Sequence, residues 1–169
     1  VEKAYVYSAK VHQGQLRLSG EPYLSHPLEV AHILTRMKMD VISVVAGFLH
    51  DTLEDTNAEL SEIERLFGKE TVNIVDGVTK ISKMQFTSQE ERQAENMRKM
   101  ILAMATDIRV IIVKLADRLH NMQTLGFQDT EKQELIAGET LEIYAPLSGR
   151  IGIYWLKSTL EDLCLYYLE

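Results

Sequence analysis

Apolar residues recur at three- and four-residue spacing along most of the chain, the period of a helix, and only three prolines and nine glycines interrupt them. The pattern predicts an all-α fold. A first helix is expected from the start to about residue 12, with Tyr5, Val6 and Ala9 facing inward. Gly14, Gly20 and Pro22 mark a loop, and Pro27 opens a second helix to residue 39 that buries Val30, Ile33, Leu34 and Met37. Asp40 reads as the N-cap of a third helix, which carries Val44, Val45, Phe48 and Leu49 and ends near residue 54. Short helices follow over 61–67, closed by Gly68, and over 69–77, with Val72, Ile74 and Val75. The polar stretch 79–88, with Lys80, Lys83, Gln85, Thr87 and Ser88, reads as a mobile connection between two halves. Helices are expected again over 90–106, 107–125, 129–144 and from about 152 to the end.

At 169 residues the chain fits one domain spanning 1–169, with a single core that needs no disulfide. Its 46% hydrophobic and 25% charged residues fit a globular protein rather than a disordered or membrane segment. The lone Cys164 reads as a buried structural thiol in a reducing, cytoplasmic setting. No apolar run reaches the roughly eighteen residues of a membrane span, and the first residues lack the sections of a signal peptide. Val1 already lies in helical pattern, so a fragment of a longer chain is expected. A net charge of −7 argues against non-specific nucleic-acid binding, and an anionic substrate would need local cations or a metal.

Three segments concentrate chemistry. His50-Asp51-Thr52-Leu53-Glu54-Asp55 packs four ionisable side chains into six residues behind the apolar run Val44–Leu49. On a continuous helix, at about 100° per residue, all four share one face, and a divalent cation would offset the repulsion among the three carboxylates. Imidazole with carboxylate suits Mn, Fe or Zn. The ordinary alternative is a solvated helix end. Lys114, Asp117 and Asn121 lie on one face of the most apolar segment, where charged groups are paired or coordinate metal. Asp117 there is either a ligand or half of a salt bridge. His26, before Pro27, is either a cap or a third contributor. Together His26, His50, Asp51 and Asp117 give two imidazoles and two carboxylates from three separate helices, a plausible metal set.

The ordered strings HQGQLRLSGEPYLSHPLEVAHIL, FLHDTLEDT, FGKETVNIVDGVTKISK, QAENMRKMILAMATDIRVIIVKLADRLHNMQTL and ETLEIYAPLSGRIGI resemble the N-terminal hydrolase domain of long RelA/SpoT homologues. The likeness runs over nearly the whole chain. It implies an HD-type helical phosphohydrolase with manganese held by His26, His50, Asp51 and Asp117, and with Glu54 and Asp55 as the acidic pair beside the attacking water. It further implies that Arg17 stacks on guanine, Asn121 contacts substrate, and Ser19 and Thr124 line the nucleotide pocket. Members specialised for synthesis lose the His-Asp and acidic pairs, whereas this chain has both. Two departures from the family pattern stand out: Leu18 replaces a frequent basic residue, and Ser148-Gly149 replaces Ala-His at what reads as a structural helix start.

The activity implied is removal of the 3′-pyrophosphate from guanosine tetra- or pentaphosphate, giving GDP or GTP. Attached synthetase and regulatory domains are implied as partners, with no membrane and no nucleic acid. Stretch 79–88 then becomes a candidate switch between hydrolase-competent and incompetent arrangements. Two rival readings are a phosphohydrolase for another nucleotide, against which the Arg17–Tyr23 loop speaks, and a module that senses alarmone without turning it over.

Overall fold

A computed structural model describes residues 1–82, 98 and 106–169. In order these form α1 (Glu2–Val11), α2 (Ser25–Arg36), α3 (Val41–Leu49), α4 (Thr52–Asp55), α5 (Leu60–Phe67), α6 (Lys69–Ser82) and α7 (Ile108–Gln123). A 3₁₀ turn (Leu125–Phe127), α8 (Thr130–Glu139), a π-helical turn (Thr140–Tyr144), α9 (Ala145–Arg150) and α10 (Tyr154–Leu168) complete them. The described residues contain no β-strand, only one antiparallel bridge, Leu16 to Pro22, in the loop before α2. No described helix is long and apolar enough to cross a membrane.

Helix starts follow side-chain chemistry. Asp40, Asp107 and Asp129 each stand at an N-cap and accept an otherwise unpaired amide, from Ser43, Arg109 and Lys132 respectively. Gly68, at φ 88°, ends α5 in a conformation that costs glycine nothing. The core is made where α2, α3, α6 and α7 pack together, through Val30, Leu34, Leu49, Ile74, Ile111 and Leu115. α10 closes the other side of α7 with Leu156, Leu160 and the buried free Cys164. Close packing of α2 on α3 rests on Gly47, where an added Cβ would lie 2.6 Å from Leu34 Cδ1.

Several boundaries differ from the periodicity. α1 turns Ala4 and Ser8 inward, while Tyr5 and Val6 are exposed and Ala9 is only half-buried, because the tight approach to α3 admits small side chains. α2 begins at Ser25, since Ser25 and His26 amides bond back to Pro22 and Tyr23, and Pro27 falls in the first turn, where its missing N–H is harmless. The third helix does not run on to residue 54. Thr52 Oγ1 donates to the Leu49 carbonyl and His50 Nδ1 lies 2.8 Å from the Gly47 carbonyl, and this side-chain capture breaks the ladder into α3 and α4. α6 continues to Ser82, with Thr79 and Ile81 buried, so the expected mobile stretch loses its first four residues; 83–88 lie outside the described residues. The helix expected over 90–106 also lies outside them apart from Arg98 and Thr106. Pro146 does not end the 129–144 helix, which passes through the π-helical turn into α9. Ser148-Gly149 thus sits late in α9 and is not a helix start: Ser148 Oγ donates to Tyr144 O, and a Cβ on Gly149 would meet Lys157 Cδ at 2.9 Å.

Arg109 ties three helix starts together. Its guanidinium donates to Asp40 Oδ2 at 2.9 Å, Glu70 Oε1 at 2.6 Å and Asp107 Oδ2 at 2.7 Å. Arg109 hydrogen bonds hold the Asp107 carboxyl below its usual range; at Asp40, burial opposes the shift but the Ser43 and Arg109 bonds outweigh it. Lowered folded-state values mean stability that is present above about pH 4 and lost as pH falls through them. Arg109→Ala should therefore cost about 1 kcal/mol at pH 7, given the partial exposure of the partners. Urea unfolding should show that cost shrinking as the pH falls below about 4; a pH-independent cost would contradict the clasp.

Candidate metal centre

The break after α3 aims His50 and Asp51 toward the first turn of α2 and the middle of α7. His26 Nε2 lies 3.3 Å from Asp51 Oδ2 and 3.2 Å from Asp117 Oδ1. His50 Nε2 lies 3.0 Å from Asp51 Oδ1 and 3.7 Å from Asp117 Oδ1, and the two Nε2 atoms are 3.1 Å apart. All four residues expected to bind metal are thus brought together. His26, His50 and Asp117 are buried, and their donor atoms lie within 4.8 Å of one another.

The outer atoms of the same rings set what faces the centre. His50 Nδ1 donates to the Gly47 carbonyl, which leaves Nε2 to carry a lone pair inward when the ring is neutral. His26 Nδ1 lies 2.7 Å from His120 Nδ1. Burial, with His26 and Arg17 nearby, pushes His120 down to about 4, so it is neutral at pH 7 and can accept the His26 proton. That frees His26 Nε2 as a second inward lone pair. Asp117 is held on both oxygens, by Asn121 Nδ2 at 2.6 Å and the partly buried Lys114 ammonium at 2.8 Å. Asp117 therefore makes a salt bridge as well as facing the histidines, and Lys114 supports the centre through it. Arg118 is turned away from the cluster, bonded to Glu139 and lying over the Tyr144 ring.

Burial alone would raise the carboxyls of Asp51 and Asp117, but His50 beside the first and Lys114 beside the second hold both well below the usual range. Burial lowers His50, yet Asp51 and Asp117 outweigh it and raise it well above its ordinary value. The cluster thus attracts positive charge. Two ionised carboxylates and two imidazole nitrogens fit a divalent transition cation.

The acidic pair divides. Asp55 Oδ2 lies 2.6 Å from the Tyr23 hydroxyl, which also reaches Asp51 Oδ2 at 2.7 Å. Glu54 faces Lys114 and Ser82 instead; burial raises its carboxyl above the ordinary value against the pull of Lys114. Because α4 is a separate turn, the single-face arrangement expected of a continuous helix does not apply. Next to the centre opens a cleft of about 320 Å³ lined by Arg17, Leu18, Ser19, Tyr23, Asn121, Thr124 and Phe127, among others. Arg17 reaches Thr124 Oγ1 at 3.2 Å and Asn121 Oδ1 at 3.4 Å, while Ser19 Oγ pairs with Glu21. All four expected nucleotide contacts therefore share this cleft. Sequence reasoning missed Tyr23 and His120. His120 sits three residues from Asp117 on one helix, and that spacing was the available signal; Tyr23 lies in the loop before α2, where no helical period points to it.

The helical fold is shared with known proteins. Residues 4–154 match the HD domain family model, and the chain belongs to the HD domain family. Within it, the likeness is to RelA/SpoT enzymes. The chain is 63% identical over all its length to the Myxococcus xanthus GTP pyrophosphokinase, and 54% over 99% to a probable guanosine-3′,5′-bis(diphosphate) 3′-pyrophosphohydrolase of Synechocystis. It is 52% identical over 96% to the bifunctional (p)ppGpp synthase/hydrolase SpoT of Escherichia coli. It spans only 22–23% of the length of these relatives. A solved metazoan ortholog of SpoT that hydrolyses ppGpp superposes with a TM-score of 0.75 at 25% identity, covering 96% of this chain and 92% of that one. A Listeria monocytogenes structure shares the fold at TM-score 0.61 and 24% identity, over 89% of this chain and 99% of that one.

If His120 sets the tautomer of His26, His120→Ala should weaken Mn²⁺ binding by about 10- to 100-fold while the chain stays folded. Titration calorimetry checks this, and an unchanged affinity would show that His26 needs no such partner.

Proposed function

We propose that this chain is a metal-dependent hydrolase that removes the 3′-pyrophosphate of guanosine tetra- or pentaphosphate. The observation that carries the reading is the convergence of His26, His50, Asp51 and Asp117 beside a cleft that holds Arg17, Ser19, Asn121 and Thr124. The relatives' names supply the substrate. The four residues hold the cation, which we assign as manganese within the Mn, Fe and Zn range that mixed nitrogen and oxygen donors favour. Bound there, the cation supplies Lewis-acid polarisation of the phosphoryl oxygens and promotes ionisation of water.

The chain's own groups do the rest. Arg17 offers a cation and a flat guanidinium to the purine, and Asn121, Thr124 and Ser19 offer hydrogen bonds to the nucleotide. Glu54 or Asp55 accepts the proton that water loses as its oxygen bonds to phosphorus; Glu54's raised carboxyl brings it closer to the working pH of a base. The P–O bond to the 3′-oxygen breaks, and that oxygen takes up a proton to leave as the 3′-hydroxyl of GDP or GTP as pyrophosphate is released. We further propose that residues 1–169 form one domain of a longer cytoplasmic protein, attached to synthetase and regulatory domains that act in starvation control. In that protein the hydrolase clears the alarmone.

Purified chain with Mn²⁺ and guanosine tetraphosphate should release pyrophosphate, and both Asp51→Ala and chelation should reduce release to background. Release that survives the chelator would contradict the metal role. No release from folded, metal-loaded chain would leave a pocket that senses the nucleotide without cleaving it.

A further inference from the structure

One side chain belongs to both halves of the site. The Tyr23 ring lines the cleft, with the His12 ring stacked on it at 4.6 Å between centroids and the Arg17 guanidinium 5.9 Å from its centre. Its hydroxyl reaches Asp51 Oδ2 at 2.7 Å and Asp55 Oδ2 at 2.6 Å. The tyrosine is itself fixed. Its amide donates to the Gln15 carbonyl at 3.0 Å, and Gln15 Nε2 donates to the Asp55 carbonyl at 2.8 Å, so the backbones that carry ring and carboxylate are tied together. Gln15 Oε1 lies 2.7 Å from His12 Nδ1, which pins the stacked histidine as well.

We infer that Tyr23 is a positioning residue for the hydrolysis proposed above: its hydroxyl aims the Asp55 carboxylate from the wall that holds the nucleotide. The geometry sets the division of labour. A phenol has one proton, and two carboxylates compete for it. Asp51 has His26 and His50 to partner it, whereas Asp55's side chain is joined to the rest of the centre through Tyr23. Loss of the hydroxyl therefore releases Asp55 while the ring still fills its place between His12 and Arg17.

The inference rests on the proposed hydrolase reading, and Tyr23→Phe tests it because it removes the hydroxyl and keeps the ring. kcat for pyrophosphate release should fall about 10- to 100-fold, the penalty of a misplaced group, with KM within about threefold. Mn²⁺ affinity by calorimetry should also stay within about threefold, since the four metal-facing side chains remain. The decisive comparison is Asp55→Asn: if Tyr23 acts through Asp55, adding Tyr23→Phe to that variant costs nothing further. Unchanged kcat in Tyr23→Phe, or full additivity with Asp55→Asn, would overturn the role while leaving the hydrolase standing. A parallel loss of Mn²⁺ affinity would also overturn it, placing Tyr23's effect on Asp51. No release by the unsubstituted chain would instead remove the hydrolase reading and this role with it.

Discussion

Two carboxylates held ionised in a buried site, Asp51 and Asp117, face two imidazole nitrogens at hydrogen-bonding range, and the rest of the structure is arranged around that electrostatic demand. Burying negative charge costs several kcal/mol unless positive charge accompanies it. Lys114 meets part of the demand at Asp117, and what remains is open to a proton on His50 or to a divalent cation. The packing of α2, α3 and α7 holds the four groups in place. Gly47 takes part twice, admitting Leu34 against α3 and offering its carbonyl to His50.

The cleft and the His-Asp cluster share residues rather than merely adjoining. Asn121 lines the cleft, accepts from Arg17 and donates to Asp117; Tyr23 lines the cleft and reaches Asp51 and Asp55. Leu18, exposed on the cleft rim, leaves Arg17 as the cation among the described lining residues, so in the reaction proposed above neutralising the 3′ charge would fall mainly to a cation held at the centre.

Much of the fold was legible in the sequence because its signals are local. Asp40 as a cap, Gly68 as a stop and the apolar periods of α2, α6 and α7 all need only neighbouring residues to act. The break at His50 was not legible, because it depends on Thr52 and His50 side chains competing for carbonyls that an apolar run would otherwise keep. Nor was the π-helical turn, which carries the chain past Pro146. In α1 the inward face went to Ala4 and Ser8 because the neighbouring helix decides how much room there is. For the site, residue chemistry made a metal set plausible and the family resemblance named its members. The supporting roles of His120 and Tyr23 depend on contacts across the fold, to His26 and to Asp51 and Asp55, whereas the pairing of Lys114 with Asp117 was open in the sequence as an i,i+3 salt bridge.

Electron–nuclear double resonance on the Mn²⁺-loaded chain tests the central claim most directly. The account predicts ¹⁴N couplings from two imidazoles, His26 and His50, with one set lost on substitution of either histidine. A spectrum of hydrated or all-oxygen-bound manganese, unchanged by those substitutions, would contradict it.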